Sequence, residues 1–414
     1  MPADLAGYDA ALKEVLLPYI RDNFPQETIV LDQVKKNAGV QRFNNEFIAP
    51  IWTGRHGGVA SLADDGNSIV SASGRTTSRA TVPVEIHTAA FDITDLVMKA
   101  STGDNMAVAG ALEAQAKTLA KDFGRQMNRQ VYGDGVGVVA EVSGSASATI
   151  VSVVYPTASL DDGRSSDWYG TVNADVSPTK YIAVGNILGF GTGGADLGTV
   201  TAVNGGTSVT VTGNPAHATN DAVYIMDGSG EGAGTSEMLG VRAALSNSGS
   251  AYEGLSRNTV GWTPQFGSAA EALTLDRMTQ RYVAAREYAS NSDKFIILVN
   301  QTLYRKYASV LTAMRRTVNE SKLLGGFTGI EFAAGGGVIG VFLDYDVPDG
   351  EILILNLDTW TLCQVGELDT ISDGGERGLL RLQGTLTYQT VMVWYANLMN
   401  LAPAANGRET RKTA

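Results

Sequence analysis

The chain has 414 residues, 44% of them hydrophobic, with 48 glycines, 11 prolines and a formal charge of −12 from 31 basic and 43 acidic residues. Such a length predicts two or three domains with a sizeable buried core. The single cysteine, Cys363, excludes a disulfide framework and a cysteine-cluster metal site. The negative balance disfavours sequence-specific nucleic-acid binding. No apolar run reaches the roughly 18 residues of a membrane helix and no basic-then-apolar leader opens the sequence, so it reads as soluble, without a signal peptide.

Residues 1–24 set Leu5, Tyr8, Leu12, Val15, Leu16 and Tyr19 at helical spacing, punctuated by Pro18 and Pro25, and predict an amphipathic N-terminal helix. From Thr28 to Trp52 the apolar residues lack a period, which predicts an extended arm. Between Gly57 and Ser78 the composition is that of a loop, with four glycines, Asp64, Asp65 and many serines and threonines. From Ala80 alternation begins, with Val82, Val84 and Ile86 on one side of a returning strand. Loops of that length are uncommon in compact domains unless functional or disordered. The stretch after Asp104 stacks Leu112, Leu119, Phe123, Met127 and Val131 on one face and stops at Gly133, predicting a spine helix of about 28 residues, roughly 40 Å long. Arg125 and Arg129 near its end suit the helix dipole.

Residues 141–235 hold nine acidic and two basic residues. An NGG turn between TVTAV and TSVTVT predicts a hairpin, and YIAV, NILGF and DAVYIM predict further strands of a small acidic all-β domain. Beyond it, Thr274 and Asn300 are positioned to cap two helices, and KFIILV between them reads as a buried strand. FTGIEF, VIGVFL and EILILN predict strands, RLQGTLTYQTVMVWYANLMNL a long β-rich run, and the remaining residues a polar basic tail.

Signatures of chemistry are sparse. His56, His87 and His217 have no metal-ligand spacing and read as surface or strand residues. No G-x-S-x-G, H-E-x-x-H or G-x-x-x-x-G-K-[ST] motif is present. GDGVGVV at 133–139 follows a helix instead of opening one, and AAGGGVIG at 333–340 lies between strands, so both read as turns. DDGRSSDW at 161–168 lacks the glutamate that closes a calcium loop. Cys363 reads as a small buried apolar residue. No nucleophile–base constellation is visible, and the expectation is a non-enzyme without cofactor or metal.

Four segments in order carry a resemblance: MNRQVYGDGVG ending the spine helix, EMLGVRAALSNSGSAYEGLSRNTVGWTPQ, GIEFAAGGGVIGVFLDYDVPDGEILILNLDTWTL, and SDGGERGLLRLQGTLTYQTVMVWYANLMNLAP. The chain resembles the major capsid proteins of tailed bacteriophages, the Hong Kong ninety-seven type of shell fold. The resemblance covers nearly the whole sequence except 141–235. It implies an α+β fold with an N-terminal arm over 1–56 and an extended E-loop with its returning strand over 57–90. A peripheral domain with the spine helix would follow over 91–140, then an inserted all-β domain over 141–235. The axial domain would occupy 236–326, peripheral-domain strands 327–379, and an axial return with the C-terminal tail 380–414.

The implied function is self-assembly into the hexamers and pentamers of an icosahedral head that encloses double-stranded DNA without sequence specificity. The protein would be found in the virion after assembly in the host bacterial cytoplasm, with no membrane partner. A separate scaffolding protein is the expected partner, since the arm is too short to contain a fused one; a portal protein and a decoration protein are the others. Some relatives weld neighbours through a lysine in the E-loop, but residues 54–98 contain no lysine, so that cross-link is not expected. Intersubunit contacts are assigned by region to Tyr8, Leu12, Tyr19 and Arg42 of the arm, to Arg55, Asp64, Asp65, Arg75 and Arg79 of the loop, and to Glu113, Arg125 and Arg129 of the spine. The alternatives are a cellular nanocompartment shell of the same fold, or a ligand- or carbohydrate-binding protein using Trp168, Tyr169 and Tyr181.

Overall fold

The architecture comes from a computed structural model that describes residues 29–54, 56–59, 61, 74–94, 105–144, 146–155, 177–191, 194–226, 237–247, 251–290, 294–313, 320–322, 328–334, 337–373, 376–377, 380–381 and 384–413. The expected N-terminal helix, most of the loop between residues 60 and 73, the helix-start Asp104 and the acidic run 161–168 lie outside these residues.

The first described segment is not an extended arm. Ile29, Val30 and Leu31 are buried in a short helix, α1 (Ile29–Gln33), and Val34 joins them in the main core. An IVL run followed by Val34 is too apolar to lie on a surface, which the absence of a period concealed. Strand β1 (Lys35–Lys36) then pairs in parallel with Thr361 and Leu362. Strands β2 (Gln41–Phe43), β3 (Glu46–Trp52) and β4 (Thr77–Pro83) form an antiparallel ribbon. Strand β5 (Glu85–Thr94) follows, but the alternation does not run through: Ala80, Val82 and Val84 are buried whereas Ile86 is 59% exposed. The ladder breaks at Val84, between β4 and β5, and burial in β5 passes to His87 and Phe91. The spine helix α2 (Asn105–Val131) has 27 residues and buries Phe123, Met127 and Val131.

Six strands, β6 (Val138–Val142), β7 (Ile150–Val154), β8 (Ile187–Phe190), β9 (Asp196–Asn204), β10 (Ser208–Val211) and β11 (Ala222–Met226), close into a barrel in the order β9-β10-β7-β6-β11-β8. Its interior is a separate apolar cluster including Val151, Leu188, Phe190, Val209 and Val223. The expected hairpin is β9–β10, turning through Gly205 and Gly206, both at positive φ. YIAV is a turn instead of a strand: Ile182 N–H bonds back to Thr179 O, and Tyr181 lies outside the barrel ladder.

Next come α3 (Val241–Ala244), the paired strands β12 (Ala251–Tyr252) and β13 (Leu255–Ser256), then β14 (Gln265–Gly267) and α4 (Leu275–Arg286), capped by Thr274. After β15 (Phe295–Val299), helix α5 (Gln301–Ala313) is capped by Asn300, whose Oδ1 accepts from Leu303 N at 3.0 Å. The chain continues through β16 (Glu320–Lys322), β17 (Thr328–Ala334), β18 (Gly337–Leu343), β19 (Ile352–Asn356), β20 (Trp360–Gln364), β21 (Asp369–Thr370), β22 (Leu380–Arg381), β23 (Thr387–Asn400) and β24 (Gly407–Glu409).

Two sheets organise these elements. The seven-stranded sheet runs β14-β24-β19-β15-β18-β17-β16. Its pleat divides two cores: Ile296, Leu298, Leu353 and Leu355 face the main core, while Ile297, Val299, Ile352 and Ile354 face α4 and α5. Buried on both sides, β15 and β19 need to be apolar throughout, which is why FIILV shows no alternation. The six-stranded sheet runs β1-β20-β23-β21, with β5 and β22 also on the long β23. A sequence division at 326/327 would cut the first sheet, because β17–β19 pair with β15 of the preceding segment, directly or through β18.

The polar tail is also not a surface segment. Pro403–Thr410 are buried, and Arg408, Glu409 and Lys412 are at most 1% exposed. Carboxylates receive the cations: Arg408 donates twice to Glu351 at 2.9 Å, Arg281 pairs with Glu409, and Lys412 reaches Glu271 and Glu409 at 3.0 Å. Asn406 Oδ1 accepts from Asn356 N and Trp360 Nε1, tying the tail to both sheets.

Candidate assembly interface

The ribbon β2-β3-β4 is held at its base and released beyond it. Phe47, Ala49, Ala80 and Val82 turn one face into the main core. Hydrogen bonds to the main chain fix the exit: Thr81 N donates to Glu253 O at 2.9 Å, Val84 N to Asn45 O at 3.0 Å, and the Asn397 side-chain Nδ2 to Pro83 O at 2.9 Å. Glu253 and Gly254 form the tight turn between β12 and β13, both at positive φ, and present the Glu253 carbonyl to the ribbon. The Glu253 side chain points inward, where Oε1 accepts from Asn400 N at 2.9 Å. Burial raises its carboxyl to about 8, against the opposing bond from Asn400.

Ala49 pairs with Ala80, and past that register no described ribbon residue is fully buried. The ladder nevertheless continues to Trp52–Thr77, and Thr53 N donates to Thr76 O at 3.0 Å. The outward face carries Phe43 at 66% exposure, Trp52 at 57% and Arg79. Arg75 stacks over Trp52 at 4.8 Å and donates from Nε to Gly54 O at 3.0 Å. Arg42 donates to Asn44 O at 3.2 Å. Among the described residues no carboxylate pairs with Arg42, Arg75 or Arg79, and Glu46 is the sole acid of residues 41–54 and 74–83. The ribbon is therefore a basic, aromatic element on a chain whose total charge is −12.

The residues assigned from sequence divide into three groups. Arg42, Arg75 and Arg79 share the ribbon, and Arg125 is exposed on the spine. Arg129 is withdrawn: at 8% exposure it is paired with Glu237 and bonded to Gln126 Oε1, so its guanidinium serves its own chain. One turn after Arg125 it stands on nearly the same helix face, and what withdraws it there is the segment carrying Glu237. Tyr8, Leu12, Tyr19, Arg55, Asp64 and Asp65 lie outside the described residues, as does the side chain of Glu113. Phe43 and Trp52 were missed; two large apolar residues in an otherwise polar, outward-facing register are the signal that finds them.

Other groups with chemical potential are engaged in packing. His87 is buried against Trp394, its Nε2 near Ala396 O, and desolvation lowers its pKa to about 4. Burial raises the Cys363 thiol to about 12. Tyr181 donates to Asp346 at 3.0 Å, which removes its hydroxyl from any sugar platform; Trp168 and Tyr169 are outside the described residues. Among the described residues no three metal-type ligands cluster, and no helix is long and apolar enough to cross a membrane.

No protein-family model matches the sequence, and no curated protein matches it. Solved structures similar to the chain over nearly its full length are phage capsid proteins. The cyanophage A-1(L) capsid asymmetric unit is 14% identical, covering 94% of this chain and 93% of that one with a TM-score of 0.49. The capsid of Myoviridae phage XM1 is 10% identical, covering 93% and 91% with a TM-score of 0.40. The SrpI encapsulin of Synechococcus elongatus PCC 7942, 13% identical, covers 36% of this chain and 52% of its own with a TM-score of 0.27.

Proposed function

We propose that this chain is the major capsid protein of a tailed bacteriophage and that it assembles into the hexamers and pentamers of an icosahedral head around double-stranded DNA. The observation that carries the reading is the ribbon: a basic, aromatic hairpin anchored at Ala49–Ala80 that leaves the core without a carboxylate partner among the described residues. A second copy supplies the complement, because every copy carries a net negative body and a positive ribbon. Obligate interfaces commonly bury about 2,000 Å² or more, which an outreaching hairpin provides without enlarging the globule.

In this reading the ribbon is the base of the E-loop, and α2 with the six-stranded sheet is the peripheral domain. The seven-stranded sheet with α4 and α5 is the axial domain, so β17–β19 belong to it, and the barrel is an insertion. A separate scaffolding protein guides assembly, a portal occupies one vertex, and a decoration protein binds outside. The protein resides in the virion after assembly in the bacterial cytoplasm, and its role is structural.

Electron microscopy of the purified protein, alone and with its scaffold, together with sedimentation tests this directly. Closed shells or rings of five and six are expected. A chain that stays monomeric at high concentration with scaffold present would sink the proposal.

A further inference from the structure

The sequence contains two Asn-Gly pairs, Asn204–Gly205 and Asn406–Gly407. An asparagine before glycine is open to cyclisation, because the glycine has no Cβ to obstruct the approach of its own amide nitrogen to the preceding side-chain carbonyl carbon. The fold treats the two pairs in opposite ways. Asn406 is fully buried, its Oδ1 accepts from Asn356 N and Trp360 Nε1, and its Nδ2 donates to Thr359 Oγ1 and Ala402 O at 3.0 Å each. Its carbonyl accepts from Gln265 N at 3.0 Å, and Gly407 lies in β24 between two paired strands. Side chain and peptide are both held, so ring closure there requires the sheet to open.

Asn204 ends β9 at the tip of the barrel hairpin and is exposed. Gly205 and Gly206, at φ 60° and 83°, place both central residues at positive φ as in a type I′ turn, and Thr207 N donates to Asn204 O at 3.4 Å across it. The Gly205 amide is exposed, lies outside the β9–β10 ladder and donates to no described residue. A solvated main-chain nitrogen without a hydrogen-bond partner is available to solvent base. The Asn204 side chain is kept in place by a surface bond from Nδ2 to Thr210 Oγ1 at 2.8 Å.

We propose that Asn204 is a modification site, at which the folded chain converts its own asparagine to isoaspartate. The Gly205 nitrogen gives its proton to solvent base and attacks Asn204 Cγ. The new C–N bond closes a cyclic imide, and Nδ2 leaves as ammonia with a proton taken from water. Water then opens the imide at either carbonyl: one opening restores the main chain through Cα as aspartate, and the other reroutes it through Cβ as isoaspartate. Isoaspartate lengthens the backbone by a methylene carbon and adds a negative charge. Asn204 faces Ser208, and the next pair sets Val203 against Val209, which is buried in the barrel core. The longer backbone therefore disturbs the hairpin register, together with the bond from Ser177 Oγ to Gly206 O at 2.8 Å. The site belongs to the barrel and stands whether or not the chain forms a shell.

The test incubates the native full chain in mildly alkaline buffer and follows the amide-to-acid mass change peptide by peptide. Isoaspartate is measured in the same peptides with a protein isoaspartyl methyltransferase and a labelled methyl donor. Asn204 should convert at least about tenfold faster than Asn406, since the buried pair reacts only through opening of the sheet. Denaturant should erase the difference, because both sites are then plain Asn-Gly. Asn204→Gln keeps a side-chain amide at an exposed position and should remove methyl acceptance from that peptide. Equal rates at the two sites in the native chain overturn the proposal, as does an Asn204 that stays intact while the denatured chain reacts. Acid formed at Asn204 without methyl acceptance signals direct hydrolysis and overturns it too.

Discussion

The ribbon and the C-terminal segment carry the same charge and meet opposite fates. Residues 41–54 and 74–83 hold Arg42, Glu46, Arg75 and Arg79; residues 403–413 hold Arg408, Glu409, Arg411 and Lys412; each set sums to +2. One stands exposed, and the other is buried to the point that Arg408 and Lys412 show no surface. The difference lies in where the carboxylates are. Glu351 and Glu271 wait for the tail within the same chain, whereas among the described residues no acid reaches the ribbon arginines. A charged segment belongs to whichever chain can neutralise it.

The strongest way to break that contrast is Arg408→Ala. Leaving Glu351 buried without its bidentate partner should cost about 3–5 kcal/mol in denaturant unfolding. A loss under about 1 kcal/mol would mean that the tail is an ornament on the sheet instead of a member of it.

Glu253 sharpens the contrast at the ribbon's root. Its folded pKa, about 8, lies above the 4.5 ordinary for a glutamate, so the folded state holds the proton more tightly. Below 4.5 the group is neutral in both states and contributes nothing. As pH climbs from 4.5 to 8, ionisation in the unfolded state draws stability away at up to about 1.4 kcal/mol per pH unit, and above 8 the loss is complete. Glu253→Gln should remove that slope. Denaturation curves at several pH values across the window check it, and equal slopes in both proteins would discount the carboxyl.

The smallest effect on the monomer is expected from the ribbon itself. Changing Arg42, Arg75 and Arg79 together to Glu should move unfolding stability by no more than about 0.5 kcal/mol per site while abolishing shells or rings in the microscope. Normal assembly of that variant would assign the ribbon to solvent. Trp52→Ala removes the Arg75 stack and should raise the concentration needed for assembly, with monomer stability changed by about 0.5–1 kcal/mol.

Much of this architecture was legible because it depends on local pattern. The spine helix, the Thr274 and Asn300 caps, the buried FIILV strand and the NGG hairpin each declare themselves within a few residues. What escaped depends on distant partners. Residues 29–34 have no helical period to read, since α1 is a single turn and a half buried on most sides. The tail looked polar because its neutralising acids lie 57 and 141 residues away. At the candidate interface, the loop composition and the arginines Arg42, Arg75 and Arg79 could be read, whereas Arg129 could not be told from Arg125 until Glu237 was seen beside it.

Strand β24 has a further meaning for the order in which the molecule is made. It lies between β14 and β19, pairing in parallel with one and antiparallel with the other. During synthesis both neighbours emerge earlier and hold raw hydrogen-bonding edges until residues 407–409 arrive. The nascent chain is therefore an open template for mispairing over its final stage. A translation product that stops short of residue 403 keeps those edges exposed, so it is disposed to aggregate and lacks the finished sheet with which to enter any assembly.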